Sequence, residues 1–107
     1  MSKYAIAFDL ETSSLESSYH NDSWRNAYSD IRKVLEDEYG FEKIQQTVYF
    51  SVGDISPVEC VLAVQELERR FLWFAPSVKD IRMLRIEETS DLKPAIGFTN
   101  KRKSKAG

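Results

Sequence analysis

The spacing of the apolar residues changes period repeatedly along this chain, and the order of those changes restricts the fold more than any single motif does. Tyr4 to Glu11 alternates, with Ile6, Phe8 and Leu10 on one side and Ala5, Ala7 and Asp9 on the other, which is the pattern of a strand. Thr12 to Tyr19 is rich in Ser and Thr and reads as a loop. Asn21, Asp22 or Ser23 can cap a helix whose stripe is Trp24, Ala27, Tyr28, Ile31, Leu35 and Tyr39, at steps of three and four. Gly40 follows where a left-handed residue ends a helix. Phe41 to Gln45 and Val48 to Val52 return to alternation and suit a hairpin turning near Gln46-Thr47. Its second strand is expected to turn Val48, Phe50 and Val52 inward and Thr47, Tyr49 and Ser51 outward. Ser56-Pro57-Val58-Glu59 is a capping box with proline at the first helical position, opening a helix to about Trp73 with Cys60, Val64, Leu67 and Phe71 on its stripe. Beyond Pro76, Val78 to Glu87 is a further strand, with Ile81 and Met83 set against Asp80, Arg82 and Leu84. Arg85 falls out of phase, so an edge position or a bulge is expected there. Ser90-Asp91-Leu92 opens a last short helix.

Strand, helix, strand, strand, helix, strand is the split βαβ order of a ferredoxin-like α+β sandwich, an antiparallel sheet with two helices on one face. A chain of 107 residues suits one domain, expected over 1–99 with a basic tail at 100–107. The uncovered face of the sheet would carry Ala5, Ala7, Asp9, Thr47, Tyr49, Ser51, Asp80, Arg82 and Leu84. That mixture is too apolar for a solvated face and too polar for a core, so a homodimer through this face is expected.

The net charge of −2 hides a division. Residues 1–54 hold five Lys/Arg against ten Asp/Glu, and residues 69–107 hold ten against four. A polyanion would therefore dock on the C-terminal third, through Lys79, Arg82 and Arg85. The longest apolar runs, one of them taking in Val61 to Val64, are five residues and fall far short of the ~20 residues that span a bilayer, and no membrane partner is expected. The single cysteine, Cys60, closes no intrachain disulfide and fits a reducing cytoplasm. Cys60 and Trp73-Phe74 read as packing and His20 as an exposed loop residue.

Asp9 is the first candidate for chemistry. A carboxylate near the end of a strand either binds a divalent cation, Mg²⁺ being the cofactor it would favour, or positions a proton in phosphoryl transfer; the plainer alternative is a pair with Arg82. Thr47, Tyr49 and Ser51 are expected to put hydroxyls beside it, and Arg82 can grip a phosphate with two parallel hydrogen bonds. Cleavage of RNA needs a base near the ribose 2′-hydroxyl, a donor for the leaving oxygen and a cation for the phosphorane, all of which such a face could supply. The candidate catalytic set is therefore Asp9 as metal ligand or general base, Arg82 as phosphate clamp, Asp80 orienting Arg82, and Thr47 and Tyr49 placing the scissile nucleotide. Arg82, Arg85 and Lys79 are the candidate RNA-binding cations.

Asp9-Leu10-Glu11-Thr12 resembles the opening motif of the DEDD-type exonucleases, but that fold needs a considerably longer chain and a His or Tyr near its last acidic motif, and no His lies beyond residue 60. A wider resemblance covers roughly residues 4 to 96. Tyr4-Ala5-Ile6-Ala7-Phe8-Asp9-Leu10, Gly40-Phe41 followed by Val48-Tyr49, and Ser77-Val78-Lys79-Asp80-Ile81-Arg82 through Arg85-Ile86-Glu87 closely resemble the virulence-associated protein D family. The resemblance implies a small bacterial or plasmid-borne protein of ferredoxin-like fold, dimeric, with endoribonuclease activity and a toxin's place in a toxin–antitoxin system, whose partner would be a small protein antitoxin; the alternative is a non-catalytic dimeric scaffold of the same fold that binds RNA or an antitoxin. It also implies kinship with small CRISPR-associated nucleases that carry an aspartate at the end of the first strand, the position Asp9 matches. The chain departs from the family at Gln46, where Gly is frequent, and its basic tail lies outside the match.

Overall fold

The computed structural model describes residues 2–97, so the basic segment 100–107 and the end of the expected domain at residue 99 lie outside the described residues. The elements run β1 (Lys3–Leu10), α1 (Thr12–Ser18), α2 (Asn26–Glu38), β2 (Phe41–Gln45), β3 (Val48–Ser51), α3 (Pro57–Arg70), α4 (Phe74–Ser77) and β4 (Val78–Ile86). The strands form one open antiparallel sheet in the order β2-β3-β1-β4. The architecture is α+β and consistent with the expected ferredoxin-like order.

Local chemistry explains most boundaries. Gly40 ends α2 at φ +71°, a conformation in which a side chain on Cα would be strained. The carboxylate of Glu59 accepts the backbone N–H of Ser56 at 2.9 Å, closing the capping box that opens α3. The Asp91 carboxylate accepts the Lys93 N–H at 2.9 Å, beneath a helical turn at residues 93–97. Two expectations need correction. Thr12–Ser18 is a helix rather than a loop, because Leu15 is fully buried and the Glu11 carboxylate takes the hydroxyls of Ser13 and Ser14, each at 3.0 Å. The helix α3 stops at Arg70 rather than near Trp73, since Phe71 is extended, and Trp73 then packs into the core ahead of the short α4.

Both long helices cover the same face of the sheet. Ala27, Ile31, Val34 and Leu35 of α2 and Cys60, Ala63 and Leu67 of α3 join Ile6, Phe8, Leu10, Phe41 and Tyr49 in one buried cluster. The register of β3 reverses the faces expected for it. Ile6 lies opposite Tyr49, Ala5 opposite Phe50 and Ala7 opposite Val48, and directly paired residues share a face. Tyr49 and Ser51 therefore point toward the helices, and Val48 and Phe50 away from them.

The physical reason is that each inward polar group finds a use. The Tyr49 ring stacks on Phe8 at 6.3 Å and 13° while its hydroxyl reaches a cavity at the rim of the core. The Ser51 hydroxyl accepts the Tyr4 N–H at 3.0 Å and donates to the Gly53 carbonyl at 2.8 Å. The open face is consequently more apolar than alternation alone suggests, with Phe50 and Leu84 flanking Ala5.

Candidate functional site

The candidate site is built by the pairing of β1 with β4. Along this ladder Ala5 faces Leu84, Ala7 faces Arg82 and Asp9 faces Asp80, so both carboxylates and the guanidinium share the open face. Arg82 donates from Nε to Oδ2 of Asp80 at 2.9 Å. All three side chains reach solvent. Residues directly opposite in an antiparallel ladder have Cβ atoms about 4.5–5.5 Å apart, so two negative charges stand side by side here with one cation next to them.

This alignment depends on one irregularity. Beyond Asp9 and Asp80 the register slips, and Leu10 pairs with Val78, leaving Lys79 as an extra residue. The bulge expected near Arg85 is thus at Lys79, while Arg85 is accommodated by the edge position of β4. A regular ladder continued from Leu10–Val78 would set Asp80 opposite Phe8, on the helix side. The bulge is what turns Asp80 and Arg82 onto the face of Asp9.

The remaining expected site residues are not gathered there. Tyr49 is 1% exposed and belongs to the helix side, and burial pushes its hydroxyl up to about 12. Thr47 lies in the hairpin turn, where its carbonyl accepts the Phe8 N–H at 3.0 Å, and it shares the parity of Tyr49 rather than that of Asp9. The C-terminal cations do not form one surface. Arg82 is on the open face, Arg85 lies opposite Tyr4 on the other and is paired with Glu87 at 3.0 Å, and Lys79 occupies the bulge.

Asp9 and Asp80 are the residues on this face that could hold a cation. Among the described residues no cluster of three His, Cys, Asp or Glu is placed to ligate a metal. Two adjacent carboxylates still fit Mg²⁺, which is commonly held by one or two carboxylates and completed by water and substrate phosphate.

Other groups behave as their surroundings require. Cys60 is buried against α3's apolar neighbours, and desolvation pushes its thiol up. His20 is exposed and stacks on Tyr19 at 4.2 Å, and Tyr19 donates its hydroxyl to Asp30 at 2.7 Å. The Ser13 and Ser14 hydroxyls hold Glu11 below the usual carboxylate range. A feature that sequence reasoning missed is the convergence of Arg25, Arg32 and Lys43 on one cavity; the seven-residue spacing of Arg25, just before α2, and Arg32 within it was its only trace in the sequence. Among the described residues no helix is long and apolar enough to cross a membrane.

No family model matches the chain. It is similar to Endoribonuclease VapD 2 of Riemerella anatipestifer, 45% identical over 93 residues that make up 87% of this chain and 98% of that protein. It is 48% identical over 93 residues to an Endoribonuclease VapD homolog of Helicobacter pylori, covering 87% and 95% of the two chains. Endoribonuclease VapD of Dichelobacter nodosus is 40% identical over 88 residues, 82% of this chain and 90% of that one.

Proposed function

The chain belongs to the VapD endoribonuclease family, and on that premise we propose that it cuts RNA internally at the open face of its sheet, with Asp9, Asp80 and Arg82 as the working residues. The observation that carries this reading is the direct cross-strand pairing of Asp9 with Asp80 on a solvent-facing surface, with Arg82 held beside them. Asp9 takes the proton of the attacking ribose 2′-hydroxyl, Arg82 faces the charge that gathers on the phosphorane oxygens, and Asp80 keeps Arg82 in place. The leaving 5′-oxygen takes its proton from water on this open surface. Asp9 and Asp80 would also hold Mg²⁺, which when bound supplies charge neutralisation at the phosphate and relieves the repulsion between the two carboxylates.

The face also supports the expected assembly. Ala5, Ala7, Val48, Phe50 and Leu84 form an apolar centre that no helix in the buried cluster covers, which favours a homodimer of ferredoxin-like protomers sharing this side and bringing each Asp9 toward the partner copy. In a cell the protein would act as the toxin of a toxin–antitoxin pair in the cytoplasm, restrained by a small protein antitoxin.

The test is cleavage of RNA labelled at either end by wild type, Asp9→Asn and Asp80→Asn, with and without EDTA. Internal cuts by wild type and a loss of about 10²-fold or more in Asp9→Asn are expected. Equal cleavage by wild type and Asp9→Asn removes the proposal, and stepwise trimming from one end in place of internal cuts removes its endonucleolytic part.

A further inference from the structure

On the side of the sheet away from Asp9, the hydroxyl of Tyr49 opens into a cavity of about 200 Å³. Arg25, Ser29 and Arg32 line one wall, at steps of four and three along one face of the N-terminal half of α2 and the residue before it. Lys43 of β2 and Gln46 of the hairpin turn line the other. These three cations come from the half of the chain that is acidic overall, so the convergence is a product of folding.

The charges are only partly neutralised. Arg32 donates from Nε to Glu36 at 2.7 Å, and Glu36 also accepts the backbone N–H of Lys43 at 3.2 Å. Among the described residues neither Arg25 nor Lys43 makes an ion pair, and the Arg25 guanidinium is held over the Trp24 ring at 4.4 Å. Burial keeps Tyr49 protonated, and its hydroxyl, that of Ser29 and the Gln46 amide add neutral donors. Guanidinium, ammonium and hydroxyl donors around a pocket of this size suit one phosphate group.

Its place relative to Asp9 makes that phosphate part of a longer ligand. Gln46 lies in the turn whose next residue, Thr47, is hydrogen-bonded to Phe8, the neighbour of Asp9. The hairpin tip therefore stands between the open face and the cavity. We propose that the cavity of Arg25, Arg32 and Lys43 holds a backbone phosphate of the RNA whose scissile bond lies at Asp9, so that the strand bends over the hairpin tip from one side of the sheet to the other. This rests on the nuclease reading for the identity of the ligand.

The test measures binding of a fluorescent single-stranded RNA to full-length Asp9→Asn, which blocks turnover, alone and with Arg25→Gln and Lys43→Gln added singly and together. Both added sites are exposed, and circular dichroism checks the fold. Removing one cation that neutralises a phosphate flattens the slope of log affinity against log salt by about 0.7, so the double change should weaken binding roughly 25-fold at about 0.1 M salt. Lys43→Arg should restore most of the Lys43→Gln loss, because it returns the charge. Unchanged slope and affinity in the double variant overturn the inference, whatever the cleavage assay shows. Failure of wild type to cut RNA, with the slope change intact, overturns the nuclease reading and leaves the phosphate site standing.

Discussion

Replacing Tyr49 and Phe50 one at a time tests the register on which the whole site depends. Tyr49 is 1% exposed, and its ring lies nearly parallel to that of Phe8. Truncating a buried aromatic residue to Ala costs about 3–5 kcal/mol, a large share of the roughly 5–15 kcal/mol that holds a domain together. In a domain of this size each kcal/mol moves the Tm by about 4–8 °C, so even ~3 kcal/mol lowers it by roughly 12–24 °C. Phe50 stands on the open face beside Ala5 and is only partly buried, so Phe50→Ala should cost about 1 kcal/mol within one protomer. Urea unfolding followed by circular dichroism, at two protein concentrations tenfold apart, separates the two effects. Tyr49→Ala should move the midpoint strongly at both concentrations. Phe50→Ala should move it little at the lower one and abolish the dependence on concentration that the proposed dimer through this face would give wild type. A larger loss from Phe50→Ala than from Tyr49→Ala at the lower concentration would mean that Phe50 occupies the core, and Asp9 would then lose its face.

Two further outcomes can be read in standard melts. Glu66 is held below the usual carboxylate range by Arg69 and Arg70, and Arg70 also bridges to Glu38, tying α3 to α2. Carboxyls lowered in the fold stabilise it fully above their ordinary value of 4.5 and lose that contribution as pH falls through the lowered value. The wild-type Tm should therefore drop as the pH is taken from about 5 toward 3, and Glu66→Gln should start lower at neutral pH and drop less; parallel curves would dismiss the network as a source of acid sensitivity. Glu59→Ala should cost about 0.3–1.5 kcal/mol by freeing the Ser56 N–H, with most of it recovered in Glu59→Gln, whose amide oxygen can still accept. No recovery in Glu59→Gln would point to the charge at the helix start as the source.

Much of this fold was legible because each element carries its own local signal. The alternation of Ile6, Phe8 and Leu10, the Gly40 stop and the Ser56-to-Glu59 box each act over a few residues, and each is where the sequence places it. Asp9 could be assigned to the open face from the alternation of β1, and Asp80 and Arg82 from their alternation with Ile81 and Met83, although the bulge at Lys79 that aligns the two strands left no mark in the sequence. The face of β3 could not be read that way. Val-Tyr-Phe-Ser alternates whichever side is inward, and the decision rests on the ladder to β1 and on partners for Tyr49 and Ser51 that come from elsewhere in the chain. The helix α1 was hidden because one buried leucine anchors a segment whose composition is that of a loop. The cations of the cavity were hidden by averaging, since charge counted along the chain assigns Arg25, Arg32 and Lys43 to an acidic half.

The extra residue Lys79 has a bearing on how such proteins lose their activity through descent. Removal of its codon would join Val78 to Asp80 in an unbroken ladder and leave Asp80 opposite Asp9, whereas a change that flattened the bulge while keeping the residue would set Asp80 opposite Phe8 and strand a charged pair under the helices. Inactive relatives should thus be recognisable by a start of the edge strand that keeps its length but can no longer bulge, and shortening by one residue there should be compatible with activity.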